Sequence, residues 1–389
     1  MKMFFLITIY ILSESFFNLF SLRIEIQDIL IVFLFVLLII YISKINIREI
    51  KNDKIFYLFF LYAFFTSVVM GYLNFGQPFI YGVRASRLFI LYLLFILVIP
   101  VLVKYLRLTK LHLYLKILAI FLILLNFFIY ITGNFSLVNN LHVLTRFDDV
   151  RFMIAGTSII YLTLYFYETA KKNKFDLMIF IGLFLVLLII SKTRSIILPI
   201  VFIIFLNMLN LKVNKNLYKW LGIIGAFVLS LFIMDFESSI LSPITNLIDF
   251  LLEESGKDVS NVSIRLLELN YFWNFMDLKS IIFGYGIDNK LIVDLYYEKY
   301  YLSDLGIFKI FYYHGIIGSI LFITILYKLY VESKKANTYI HLYGKSFIIF
   351  QILSPTLTFV YSIPGMLIFI ITYILIKNNN QLLNTKGLI

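Results

Sequence analysis

The chain has 389 residues, of which 61% are hydrophobic and only 14% charged, with no cysteine and a formal net charge of +12. A soluble domain sits nearer half apolar and a quarter charged, so this composition excludes one; the lack of cysteine excludes disulfides, thiolate catalysis and Cys-based metal sites. The cations are scattered over many short connections instead of gathering on one face, which argues against nucleic acid as a partner.

Apolar runs recur from end to end, as in a polytopic α-helical membrane protein; a spanning β-barrel would show short alternating segments. Read in order, the predicted spans are 4–20, 29–42, 55–73, 88–103, 113–131, 153–167, 175–190, 196–209, 217–234, 306–327, 347–360 and 365–376. This is an all-α integral membrane fold of about twelve spans. It divides into an N-terminal bundle of about nine spans (1–234), a large external loop (235–303) and about three C-terminal spans with a short tail (304–389). The first run resembles a signal peptide, but no small-residue cleavage site follows it, so it reads as an uncleaved span.

The connections alternate in character. One set carries Lys44, Arg48, Lys51 and Lys54; Lys104, Arg107 and Lys110; Lys171, Lys172 and Lys174; Lys212, Lys215 and Lys219; and Lys334 and Lys335. The positive-inside rule makes these cytoplasmic, and both termini with them. The other set holds Arg23, Arg84, Arg87, Arg146, Arg151, Arg194 and Arg265. Arginine on the far side does not follow from that rule and needs another reason. The loop between the ninth and tenth spans contains two amphipathic stretches, 244–252 and 263–279, apolar enough to lie against the bundle.

Several residues could carry chemistry. Arg194 lies in the turn Ser191-Lys192-Thr193-Arg194-Ser195, which holds a guanidinium at headgroup depth. Its planar fork matches phosphate oxygens, although an interfacial anchor fits equally. Arg265 opens a helical stretch where an i,i+3 pair with Glu268 is the simpler reading. Asp304 stands where the chain re-enters the membrane, as a helix N-cap or a general base. His314 sits one to two turns inside the tenth span, where an ionisable group is a functional candidate unless neighbouring helices satisfy it. Arg84 and Arg87 share a helix face at the mouth of the fourth span, and Arg146 and Arg151 bracket two aspartates that could pair with them. The remaining histidines, His112, His142 and His341, show no metal-ligand spacing.

Three local patterns, in this order, carry a family resemblance: Lys192-Thr193-Arg194-Ser195 starting an apolar helix; an Arg265-led helix with Trp273 running into Gly284-Tyr285-Gly286; and a re-entering helix with Gly315-Ile316-Ile317-Gly318. With the span count and the single large external loop, the chain resembles the bacterial O-antigen polymerase and ligase superfamily, and most closely the Wzy-type polymerase branch. Ligases of that superfamily usually carry a His-Asn pair where this chain has Asp304 and Leu305.

The resemblance implies a membrane glycosyltransferase of the inner membrane, its active site facing the periplasm. Donor and acceptor would both be polyprenyl-pyrophosphate-linked glycans among membrane lipids, with a chain-length regulator and a flippase as partners and no cofactor. Arg194 and Arg265 would hold the departing pyrophosphate without a metal ion, and Asp304 would act as base or orient the acceptor. Arg84, Arg87, Arg146, Arg151 and His314 would contact donor or glycan. A ligase, or a flippase for lipid-linked oligosaccharide, is the alternative.

Overall fold

The structure is a computed structural model. It describes residues 53–105, 108–133, 144–146, 149–151, 155–171, 173–191, 194–209, 261–287, 305–354 and 359–385, with two helical positions, Val32 and Val36. Apart from those two positions, the predicted spans 4–20, 29–42 and 217–234 lie outside the described residues, as do the amphipathic stretch 244–252 and Asp304.

The described chain is helical except for one short hairpin. Five of its helical segments are long and apolar enough to cross a membrane: α1 (Lys54–Phe75), α2 (Phe79–Tyr105), α3 (Leu108–Thr132), α5 (Lys174–Leu185) with its π-helical continuation Val186–Ser191, and α9 (Ile307–Lys334). Between them stand α4 (Gly156–Thr169), α6 (Arg194–Leu209), α7 (Asn261–Asn274) and α8 (Leu278–Phe283); α10 (Thr338–Leu353), a 3₁₀ turn (Phe359–Tyr361) and α11 (Ile363–Thr385) follow α9.

α4 is apolar all round, and every residue from Ser158 to Thr169 is buried, so this helix forms the centre of the bundle. α5, α6, α10 and α11 pack around it; α1 and α2 form a hairpin, with α9 against α1 and α11 against α2. Aromatic rings fill the space between these helices. Phe60 stacks on Tyr92 with centroids 4.1 Å apart, and Phe359 on Phe369 at 4.6 Å. The outer faces of α1, α3 and α9 remain apolar, with Leu58, Phe65, Leu124, Ile320 and Tyr327 exposed. Such a surface suits hydrocarbon and not water.

Three nearly buried carboxylates tie the lysine-bearing end of the bundle together. Asp53, just before α1, accepts from Tyr373 and lies 3.4 Å from Lys328 and 3.2 Å from Lys377, joining α1, α9 and α11. Glu168 on α4 pairs with Lys171 and accepts from Asn207 on α6 at 2.6 Å; Asn207 also reaches Ser346 on α10. Asp176 on α5 faces Lys116 at 2.7 Å and His112 at 3.3 Å, both on α3. Each acid is desolvated, and each has a cationic partner from its own or a neighbouring helix.

The boundaries depart from the sequence reading in three places. α2 begins at Phe79, directly after Pro78, so Arg84 and Arg87 lie inside the helix and not before it at Leu88. Proline is tolerated at a helix start because its missing N–H would be unpaired there anyway. The predicted span 347–360 is displaced: α10 ends at Leu353, because Ser354 precedes Pro355 and takes an extended conformation (φ −75°, ψ 120°). The segment before α4 is a hairpin, β1 (Leu144–Arg146) against β2 (Asp149–Arg151), where no strand was expected.

Replacing Asp53 with Ala leaves Lys328 and Lys377 facing each other without a counter-charge. The expected cost is on the order of 3 kcal/mol, read as a lower melting temperature in detergent or nanodiscs. Asp53→Asn, which keeps the hydrogen bond to Tyr373, is expected to cost less.

Candidate functional site

The stretch predicted as one amphipathic helix, 263–279, is two. α7 ends at Asn274, and Asp277 caps α8 by accepting from Ser280 N at 2.7 Å. Hydrogen bonds from the Ser280 hydroxyl and backbone hold the exposed Asp277 carboxyl below the usual carboxylate range. The cap is therefore present above that range and lost as pH falls through the lowered value. α7 presses its aromatic face onto the start of α9: Phe272 meets Tyr312 (centroids 5.2 Å) and Trp273 stacks on Phe311 (5.9 Å).

α9 is interrupted at Gly315, whose φ of 65° and ψ of −166° are not helical. An interruption inside an apolar bundle leaves carbonyls without intrahelical partners, and they must be satisfied locally. Three consecutive ones are. The Tyr312 carbonyl accepts from Tyr285 N at 2.6 Å, the Tyr313 carbonyl from Gly286 N at 3.1 Å, and the His314 carbonyl from the Tyr62 hydroxyl at 3.1 Å. The Gly-Tyr-Gly turn after α8 is thus paired edge-on with the broken helix. Its close approach requires glycine on both sides. A Cβ on Gly284 would strike the Tyr313 carbonyl and His314 N, and one on Gly315 would strike the Ile282 carbonyl and Gly284 N. Asn74 and Gln77, at the α1–α2 turn, hold the same segment by donating to the carbonyls of Tyr285 and Ile287, both at 2.9 Å.

His314 points into the bundle beside this crossing and is fully buried. Phe89 (5.4 Å), Phe59 (6.2 Å) and Tyr361 (6.0 Å, planes 11° apart) surround its ring. Its Nδ1 lies 3.4 Å from Thr66 Oγ1. The Thr66 hydroxyl proton is already donated to the Tyr62 carbonyl at 2.8 Å, so Thr66 Oγ1 accepts and Nδ1 carries the hydrogen. Nε2 is left as a bare lone pair. Among the described residues nothing pairs with it, nor with the buried hydroxyl of Tyr361. Lys309 Nζ stands 4.6 Å over the Tyr361 ring.

The arginines fall at one end of the bundle. Arg194 is the first residue of α6, and Arg265 lies in the second turn of α7. Arg84 is exposed and Arg87 half-buried, and both make contacts. In the hairpin, Arg146 is directly opposite Asp149 and Arg151 opposite Leu144, so both arginines share one face. Strand β2 lies beside the π turn Val186–Ser191, which brings the hairpin next to the segment leading to Arg194. The residue flanking α9 is Gly306, so the cap position falls after Asp304.

Sequence reasoning singled out His314, both glycine patterns and the arginines, but not Thr66, Tyr62, Tyr361, Asn74 or Gln77. Thr66 and Tyr62 carried a weak signal, as polar groups four apart on one face of an otherwise apolar helix. Tyr361 carried none. No family model matches this chain, and no curated protein is similar to it.

Gly284→Ala and Gly315→Ala are each expected to abolish the paired crossing, seen as a large fall in folded yield and rapid proteolysis between α8 and α9. Gly133→Ala is the control. It also places a side chain at positive φ (63°), but in open space, so a penalty of about 1 kcal/mol is expected there.

Proposed function

We propose that this chain is a membrane glycosyltransferase that polymerises polyprenyl-pyrophosphate-linked oligosaccharide repeat units into a surface polysaccharide, as a Wzy-type O-antigen polymerase does. The lysine-bearing end faces the cytoplasm and the arginine-bearing end the periplasm. The observation that carries this reading is the contiguous unit formed by the Arg265 helix, the Gly-Tyr-Gly turn and the interrupted α9. Three patterns scattered along the external loop and the next span become one packed element at the arginine end.

The chemistry suits that end. A hydroxyl of the acceptor glycan attacks the anomeric carbon of the donor, and the lipid pyrophosphate leaves with the bonding electrons. Negative charge grows on the leaving group, and fixed guanidinium groups aimed at it lower the barrier. Arg194 and Arg265 hold the pyrophosphate; Arg84, Arg87, Arg146 and Arg151 contact donor phosphate or glycan; Asp304 orients or deprotonates the acceptor. A flippase would carry its cations deep along a central cavity, whereas these arginines lie near helix ends.

Arg194→Ala, Arg265→Ala and Asp304→Asn, made in the native host, test this. For each arginine the expected loss is roughly 10²–10³ in rate. On a gel of the surface glycan the ladder disappears and a single repeat remains on the lipid core. Polymer accumulating on the carrier lipid would indicate a ligase, and repeat units held on the cytoplasmic leaflet a flippase. Wild-type ladders from all three variants would remove the assignment.

A further inference from the structure

We propose that His314 and Tyr361 form a buried subsite for a sugar hydroxyl of the acceptor, with His314 Nε2 taking its proton. This rests on the polymerase reading and assigns to His314 the proton-accepting role first given to Asp304. The geometry points to it in three steps. First, the tautomer is set from outside: Nδ1–H is engaged by Thr66, whose own proton is committed to the Tyr62 carbonyl, so Nε2 presents a lone pair. Second, that lone pair and the Tyr361 hydroxyl are both buried and unpaired among the described residues, an acceptor and a donor left together in an apolar enclosure. Leaving two such groups unsatisfied is costly, and a hydroxyl, which both donates and accepts, satisfies both at once. Third, the enclosure is thin. The stacked ring of Tyr361 is itself partly exposed, and it comes from a single 3₁₀ turn.

The backbone freezes the pocket. His314 directly precedes the interruption in α9, and its carbonyl is pinned by Tyr62. The turn bearing Tyr361 is anchored at Phe359, whose carbonyl accepts from Tyr92 and whose N–H donates to Gln351 at 3.0 Å. In the transfer, the acceptor O–H bond breaks and its proton passes to Nε2. The oxygen bonds to the anomeric carbon as the carbon–oxygen bond to pyrophosphate breaks, and the electron pair leaves with the pyrophosphate. The imidazolium then returns its proton to water. The rings of Phe89, Phe59 and Tyr361 around the imidazole stabilise the transient cation.

The chain has four histidines, so selective ¹⁵N-histidine labelling of the full protein in nanodiscs is readable. The His314 signal is identified by its disappearance in His314→Gln. Adding the host's lipid-linked repeat unit is expected to shift the Nε2 resonance. Polyprenyl pyrophosphate without sugar should leave it unmoved, which separates a hydroxyl ligand from a phosphate one. Tyr361→Phe should weaken the shift, and it carries the test if His314→Gln does not fold. In the host, His314→Gln should lower polymer formation by roughly 10²–10⁴-fold at unchanged membrane abundance, the range of a general base. An Nε2 already hydrogen-bonded in the free protein and indifferent to glycan means an enclosed water and overturns the proposal. If the arginine variants keep their ladders while the resonance still answers to glycan, the polymerase reading falls and the subsite stands. Lost ladders with a silent resonance mean the reverse.

Discussion

A helix interrupted inside an apolar bundle is tolerated only when every freed carbonyl finds a donor, and the arginine end of this protein is organised around meeting that condition. The carbonyls of Tyr312, Tyr313 and His314 would each carry a desolvation penalty if left bare. Two are satisfied by backbone N–H groups of the Gly-Tyr-Gly turn and one by a tyrosine of α1. The external segment is therefore not an accessory laid on the bundle; it completes α9. The contacts between α7 and α9, the grip of Asn74 and Gln77, and the burial of His314 all follow from that pairing.

The two ends of the molecule are held by different forces. At the lysine end, Asp53, Glu168 and Asp176 link six helices through desolvated ion pairs, which are costly to form and costlier to break. At the arginine end, the links are backbone hydrogen bonds and stacked rings. The first arrangement fixes helix against helix. The second leaves side-chain charge uncommitted to internal packing, as a surface that meets anionic ligands requires. The same division separates structural polar groups from chemical ones: His112 is engaged by Asp176 and Tyr165, His341 by Ser333, whereas His314 keeps one nitrogen unpaired.

Hydropathy made much of the fold legible. Spans read at 55–73 and 113–131 became Lys54–Phe75 and Leu108–Thr132. They are longer than read because Lys110, His112 and Lys116 look like loop residues by hydropathy, yet they are helical, and His112 and Lys116 meet Asp176. Arg84 and Arg87 misled in the same way, since Pro78 and not the nearest charge sets the start of α2. The site was legible in its parts. His314 and the glycines stood out because each is improbable at its place in an apolar sequence. Their association could not be read, because Thr66 lies 248 residues from His314 and Tyr62 lies 221 residues from Phe283. Tertiary partners at such separation leave no local pattern. The hairpin was missed because 144–151 has few apolar residues to alternate.

The π-helical turn at Val186–Ser191 carries one further consequence. Widening a helix by a turn of this kind rotates everything beyond it by about one residue's worth of azimuth, near 100°. Leu183 and Val186 lie deep in the core, and so do Leu187 and Ile190 past the widening, so the buried stripe is kept on both sides of a phase jump. The chain leading to Arg194 thus leaves the bundle on a heading that a regular helix of the same length would not give. Removing or adding a single codon in that turn would re-aim the guanidinium while leaving the apolar core sealed.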